Sequence, residues 1–437
     1  MRQTELSREW KMMQKIAAVF CAAILLAVLC AACKAKELPD TYVEGSDYQY
    51  MQMEDGLRFT LTRAQGGKGM YFLHGDYIYF LDKETNTILP LCNKADCLHD
   101  QETDSEKYVY CNACMLPSNG FPTGELGISY CNGVLYCLDR GFGSQSAILY
   151  RISEDGSNRE EIYKWENCQV NEWLIHRNVL YYTKRIYENT DGKVKESYQI
   201  CALSLTDSAK KEKVVFTADA DLEVVTLGKP TAYGHHLYFQ IVAYIPAEEE
   251  ITDDNFLEYL YYKTFEYNIV SGQISELLLP DMLSSEYVSG VVFWDDKLLF
   301  DSFDFAADDT ASSDWYIAKL DGSNPEIFMT DIPKYSMFTS DGEYLYLTNA
   351  HTVLRGKEDE DDLLYEVYDQ DLEKIDTFKP TTLLIFNGVL PLGTDAMYLQ
   401  YDSGDENDPS WGVMRWNKQI GTYHGEPIDK DIVDIPR

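Results

Sequence analysis

The chain has 437 residues, a formal net charge of −36 at pH 7 and 33 tyrosines. So acidic a surface repels phosphate backbones and anionic headgroups, which excludes nucleic acid as a partner. Gly-x-Ser-x-Gly elbows, His-Glu-x-x-His pairs and Walker-type Gly-rich loops are also missing, so no hydrolase, zinc-protease or nucleotide signature is present.

The chain opens with a polar stretch carrying Arg2, Arg8, Lys11 and Lys15. An unbroken apolar run, Ile16–Cys33, follows and ends in small residues. A basic region, an apolar region and a small-residue end form an export signal. The closing Cys30-Ala31-Ala32-Cys33 resembles a bacterial lipobox, although Cys30 stands where that motif carries Leu. The resemblance implies that segment 1–33 is a lipoprotein signal and lipobox, cut before Cys33, which is lipidated and becomes the first residue of the mature chain. An uncleaved membrane anchor is the alternative. Either places the remainder on the outer, extracytoplasmic face of the cell membrane. Residues 34–57 lack periodicity and read as a flexible tether.

From residue 58 to 437 one short strand recurs. Its copies are aligned on Tyr79, Tyr136, Tyr181, Tyr238, Leu299, Tyr346 and Tyr398, with spacings of 57, 45, 57, 61, 47 and 52 residues. Repeats of this size built from several strands are propeller blades. The expected fold is therefore all-β, a seven-bladed β-propeller with four-stranded antiparallel blades. Asn132-Gly133 between two alternating runs is the strongest hairpin signal. Pro90 confines its strand, Thr87–Leu91, to a sheet edge. Third strands are expected at Tyr198–Leu205, Tyr259–Val270, Trp315–Leu320, Leu364–Tyr368 and Gly412–Trp416. Closure of the ring is expected from Arg58–Arg63 pairing into the last blade. Long acidic insertions fall between second and third strands at Ile245–Glu258, Asp304–Asp314, Gly356–Asp362 and Asp402–Pro409. Insertions at equivalent places crowd one face, which is often the binding face.

The insert 92–114 carries the most chemistry: Cys92-x4-Cys97-x-His99-x11-Cys111-x2-Cys114. Three thiolates and an imidazole, Cys92, Cys97, Cys111 and His99, complete a tetrahedral structural zinc site, with Cys114 as a substitute ligand. Disulfides and free thiols are the competing readings, since exported chains often carry disulfides. A zinc site with this many protein ligands is closed, which argues against catalysis at the metal.

Two turns, in Leu149–Asn158 (LYRISEDGSN) and Ile317–Pro325 (IAKLDGSNP), resemble the TolB-type propeller repeat. The Cys, Cys-x-His, Cys-Asn-Ala order of the insert is similar to that of clostridial surface lipoproteins carrying such a propeller. The resemblance implies a TolB-like β-propeller lipoprotein at the cell surface. Two functions follow as expectations. One is a non-enzymatic binding or scaffold module for a protein, peptide or glycan, including service in an envelope or transport complex. The other is a carbohydrate-active hydrolase or lyase using carboxylates on the propeller axis.

Overall fold

A computed structural model describes residues 38–50, 63–115 (except 75, 83 and 86), 126–140, 146–190, 193–206, 211–247, 250–252, 255–278, 286–304, 311–334, 336–348 (except 341 and 343) and 365–378. Beyond these it describes the backbone of 385–391, 396–402, 411–417 and 431–434. Residues 1–40 and 41–437 form separate compact units, and the propeller lies in the second. The apolar run Ile16–Cys33, with Cys33, lies outside the described residues. Among the described residues no helix is long and apolar enough to cross a membrane.

Alternating apolar and polar residues, separated by Gly, Asn and Asp turns, fold into antiparallel sheets that follow one another along the chain. Blade one holds β1 (Arg63–Gln65), β2 (Gly69–His74), β3 (Tyr77–Asp82) and β4 (Thr87–Pro90). Blade two holds β5 (Leu126–Cys131), β6 (Val134–Asp139), β7 (Ala147–Ser153) and β8 (Arg159–Trp165). Blade three holds β9 (Cys168–His176), β10 (Val179–Thr190), β11 (Lys193–Ser204) and β12 (Glu212–Thr217). In blade four, β13 (Glu223–Leu227) and β14 (Thr231–Tyr233) share one edge of β15 (His236–Tyr244), followed by β16 (Leu260–Asn268) and β17 (Ile274–Glu276). Blade five holds β18 (Glu286–Trp294), β19 (Lys297–Asp304), β20 (Ser312–Ala318) and β21 (Glu326–Pro333). Blade six holds β22 (Met337–Ser340), β23 (Leu345–Thr348), β24 (Tyr365–Tyr368) and β25 (Lys374–Phe378).

Neighbouring blades pack in series, β1 and β2 on β5, β5 on β9, β11 on β13, β16 on β18, and β18 on β22. The core lies in the layers between their faces. The anchors Tyr79, Tyr136, Tyr181, Tyr238, Leu299 and Tyr346 are all buried there. Each fully buried Leu or Phe in these layers contributes about 2 kcal/mol relative to exposure.

The seven-bladed expectation is corrected. Six blades pack side by side. A further four-stranded sheet follows, β26 (Ile385–Pro391), β27 (Ala396–Asp402), β28 (Trp411–Asn417) and β29 (Asp431–Asp434), joined by backbone pairing. The series of packed blades runs from blade one to blade six, and of that further sheet only the backbone is described. The repeat predicts each blade from its own residues, but a repeat count does not determine which sheets pack together. Of the closing stretch Arg58–Arg63, residues 58–62 lie outside the described residues, and Arg63 pairs with Phe72 of β2 inside blade one. Blade one also differs in register. Its anchor strand is third in the sheet, β3, whereas in the other blades the anchor strand follows a single inner row.

Residues 41–50 are docked into the propeller, which corrects the flexible-tether expectation over that stretch. Ser46, Asp47 and Tyr48 are buried. The Asn132 N–H donates to Gly45 O at 2.6 Å and the Arg177 N–H to Ser46 O at 2.8 Å. Both donors sit in first-to-second strand turns with left-handed backbone, φ 51° at Asn132 and 53° at Arg177. Gln49 bonds the backbone of Gln65 in both directions, at 2.6 and 2.8 Å. Tyr50 packs edge-on against Phe293 at 5.5 Å and Tyr233 at 5.3 Å. This strap therefore touches blades one to five.

Its strongest single tie is the ion pair of Asp47 with Arg177. The Arg177 Nε lies 2.9 Å from Oδ1, with the side chains 9% and 0% exposed. A second guanidinium nitrogen reaches Oδ2 at 3.2 Å. Removing one partner strands the other charge in the interior, at a cost of about 3–5 kcal/mol. Asp47→Ala should lower the unfolding free energy by about 3 kcal/mol in urea titrations; an unchanged midpoint would show that the strap is dispensable.

Candidate metal centre and binding cavity

The cysteine insert leaves β4 at Cys92 and returns beside β3. Ile78 donates its N–H to Ala113 O at 2.9 Å, and the Met115 N–H donates to Asp76 O at 2.7 Å. Tyr77 and Cys114 form an isolated bridge. The insert thus occupies the outer side of blade one. The Glu154–Asn158 turn of blade two closes over it, where the Asn112 side chain donates to Gly156 O at 2.8 Å. Gly156 has φ +68°, and a Cβ there would lie 2.6 Å from the Leu91 carbonyl, so only glycine fits the approach.

One donor atom each from Cys92, Cys97, His99 and Cys111 lies within 4.8 Å of the others. A tetrahedral zinc–thiolate site needs sulfurs roughly 3.8 Å apart, so modest contraction would close the set around an ion. The Cys111 Sγ to His99 Nδ1 distance is already 3.8 Å. Burial pushes the Cys92 thiol up, but the N–H groups of Lys94 and Asn112 and the thiols of Cys97 and Cys111 outweigh this and hold it below its usual range. Burial, and then the neighbouring Cys92 charge, pushes the Cys111 thiol strongly up. Thiolates this close do not ionise together without a cation between them. His99 adopts φ 54°, rare for a non-glycine residue, and its carbonyl accepts the Tyr77 hydroxyl at 3.2 Å. Cys114 stands outside the set, fully buried beside the Tyr77 hydroxyl. No disulfide joins the eight described cysteines, and Cys131 pairs across its strand with Val134 rather than with Cys137.

A cavity of about 350 Å³ opens between blades two, three and four. Its charged lining is Arg140, Glu172, Lys184, Arg185 and Lys229. A β-bulge makes it. Tyr182 pairs with Trp173 and Lys184 with Val170, so Asn171 and Glu172 together face Thr183. The bulge re-aims Glu172, and the N–H it frees donates to Thr183 Oγ1 at 3.0 Å. Arg140 donates to Asn171 O at 3.0 Å and lies 3.5 Å from Glu172 Oε1. Glu172 Oε2 is buried without a hydrogen-bond partner. Burial raises the Glu172 carboxyl to about 7 against the opposing pull of Arg140. The Lys229 stem is half-buried, but its ammonium is fully buried, 6.0 Å over the Tyr48 ring of the strap. Burial lowers it to about 7. Lys184 is held by Glu212 at 2.7 Å and Arg185 by Glu196 at 2.6 Å.

Sequence reasoning named the four residues whose donor atoms the structure gathers and missed the cavity, whose residues come from three blades. The one legible signal was Glu172 inside the otherwise apolar end of β9. Of the acidic insertions, 356–362 and 403–409 lie outside the described residues, as do most of Asp304–Asp314. Trp294 and Trp315 are buried in the core. His176 is neutral, accepting the Tyr48 N–H at 3.0 Å on Nδ1 and donating from Nε2 to Gly234 O at 2.8 Å.

No family model matches the chain, and no curated protein does. Solved structures do. Prolyl oligopeptidase B from Galerina marginata is similar with a TM-score of 0.50 and 10% identity over 80% of this chain and 47% of its own. An oligogalacturonate lyase in complex with manganese has a TM-score of 0.46 and 13% identity over 86% and 95%. The propeller domain of the Trilobed protease from Pyrococcus furiosus has a TM-score of 0.42 and 9% identity over 89% and 99%. The chain spans under half the length of the prolyl peptidases it matches, 46% and 47%. Identity this low shows the propeller fold alone.

If the cluster holds zinc, the purified chain contains one zinc per molecule, and chelation lowers its melting temperature while exposing three further reactive thiols. Sub-stoichiometric metal with missing free thiols would instead establish disulfides.

Proposed function

We propose that this chain is a non-enzymatic binding module, a TolB-like propeller held at the extracytoplasmic face of the membrane through Cys33. It presents its cavity face to a protein, peptide or glycan. The carrying observation is the position of the cavity. It lies among the inner strands, toward the strand ends from which the second-to-third connections leave. A volume of about 350 Å³ with a few convergent polar groups is the size and character of a ligand site. The strap enters at the opposite, first-to-second turn face and leaves the cavity side clear. The Cys92, Cys97, His99 and Cys111 set acts as a structural clip, supported by its place between blade one and the Glu154–Asn158 turn.

Peptide and glycan arrays probed with residues 34–437 should give saturable binding that Thr226→Trp, which fills the cavity from an exposed strand position, abolishes without changing the melting temperature. Retained binding in that variant, or turnover of an arrayed glycan, would overturn the reading. For the anchor, an alkyne-tagged fatty acid should label the full chain in cells and not Cys33→Ser; equal labelling of both would rule out lipidation at Cys33.

A further inference from the structure

We infer that the cavity between blades two, three and four recognises a carboxylate on its ligand, held at the wall where Arg140 meets Glu172, with Lys229 in the same lining. This rests on the binding reading and names the chemistry of the same site. In a chain of net charge −36, the lining gathers four cations, Arg140, Lys184, Arg185 and Lys229, against one carboxyl group, Glu172. Lys184 and Arg185 are paired with Glu212 at 2.7 Å and Glu196 at 2.6 Å, which leaves Arg140 and Lys229 as the cations for a ligand beside Glu172. A concave site lined by the minority charge concentrates the opposite charge in solution. Arg140 and Glu172 are held at the wall with side chains only 9% and 10% exposed, so their geometry is set before a ligand arrives.

Glu172 decides which anion. Its Oε2 is buried and has no hydrogen-bond partner in the protein. A protonated Glu172 supplies one O–H donor, which a carboxylate oxygen accepts while the guanidinium of Arg140 and the ammonium of Lys229 balance its charge. A phosphate dianion would bring a second negative charge against a group that ionises near neutrality. The proton is available because burial holds the Glu172 carboxyl near 7. The same burial leaves Lys229 titrating near 7, so a bound anion favours its charged form.

Arg140, after β6, faces Glu172, and Tyr48 of the strap faces Lys229; Lys184 and Arg185 of β10 and Tyr198 of β11 complete the titratable lining. Arg140, Lys184 and Arg185 stay charged, and Tyr48, raised by burial, stays neutral. Glu172 and Lys229 therefore carry the pH dependence. Both bind carboxylate in their protonated forms, so affinity falls as pH rises through 7.

The test is calorimetric titration of residues 34–437 with D-glucuronate, D-glucose, acetyl-glycylglycine and inorganic phosphate. D-glucuronate or acetyl-glycylglycine should bind saturably, and whichever is tighter identifies the carboxylate as that of a sugar acid or of a peptide end. Binding should weaken at least about tenfold between pH 6 and pH 8. Lys229→Met, which preserves side-chain length, and Arg140→Gln should each weaken it about tenfold or more. Glucose binding as tightly as glucuronate, phosphate binding tighter than both carboxylates, or no saturable heat from either carboxylate would overturn the inference. Silent titrations beside positive array binding would leave the binding reading standing; loss of both would remove it as well.

Discussion

The ion pair of Asp47 with Arg177 ties the strap of residues 41–50 to blade three. Arg177 opens the turn between the first two strands of blade three, with its backbone in the left-handed region. Two nearly unexposed charges are tolerable only when each satisfies the other. Asp47 does so with both oxygens and also accepts the Val43 N–H at 3.2 Å, which folds the strap back on itself. Once the pair forms, the position of Tyr48 follows: its N–H meets the neutral His176 imidazole, and its ring lies beneath Lys229. One contact on the turn face is thereby linked to the floor of the cavity.

Stability is built differently at the two ends of the described propeller. Blades two to four share one continuous apolar cluster that includes Tyr48, while blades one and two are joined through a cluster that includes Cys92, Cys111 and Cys114. The insert is short of regular structure, with two brief 3₁₀ turns, and the blade-two turn at Gly156 packs over it. A structural ion there would replace the hydrophobic burial that the truncated outer side of blade one lacks.

Much of the fold was legible because a strand repeat is a local property. Period-two alternation gives β16, β24 and β28 within two residues of their expected bounds, and Pro90 lies on the outer strand of blade one as its missing N–H requires. The Cys92, Cys97, His99 and Cys111 cluster was legible because its residues fall within a single insert. The strap was not, because 41–50 has no periodicity; its order comes from buried polar pairs with residues some 130 positions away. The cavity was hidden for a similar reason. It depends on a bulge at Asn171 and Glu172, which shifts register without leaving a compositional mark, and on charges contributed by different blades.

The central claim is that the strap is an integral part of the propeller. Amide hydrogen exchange read by mass spectrometry tests it directly, since Asp47, Tyr48 and Tyr50 all have bonded N–H groups. Peptides covering residues 43–50 should exchange as slowly as those covering β9, in one cooperative step with them. Complete exchange of that stretch within seconds, while β9 stays protected, would contradict the account.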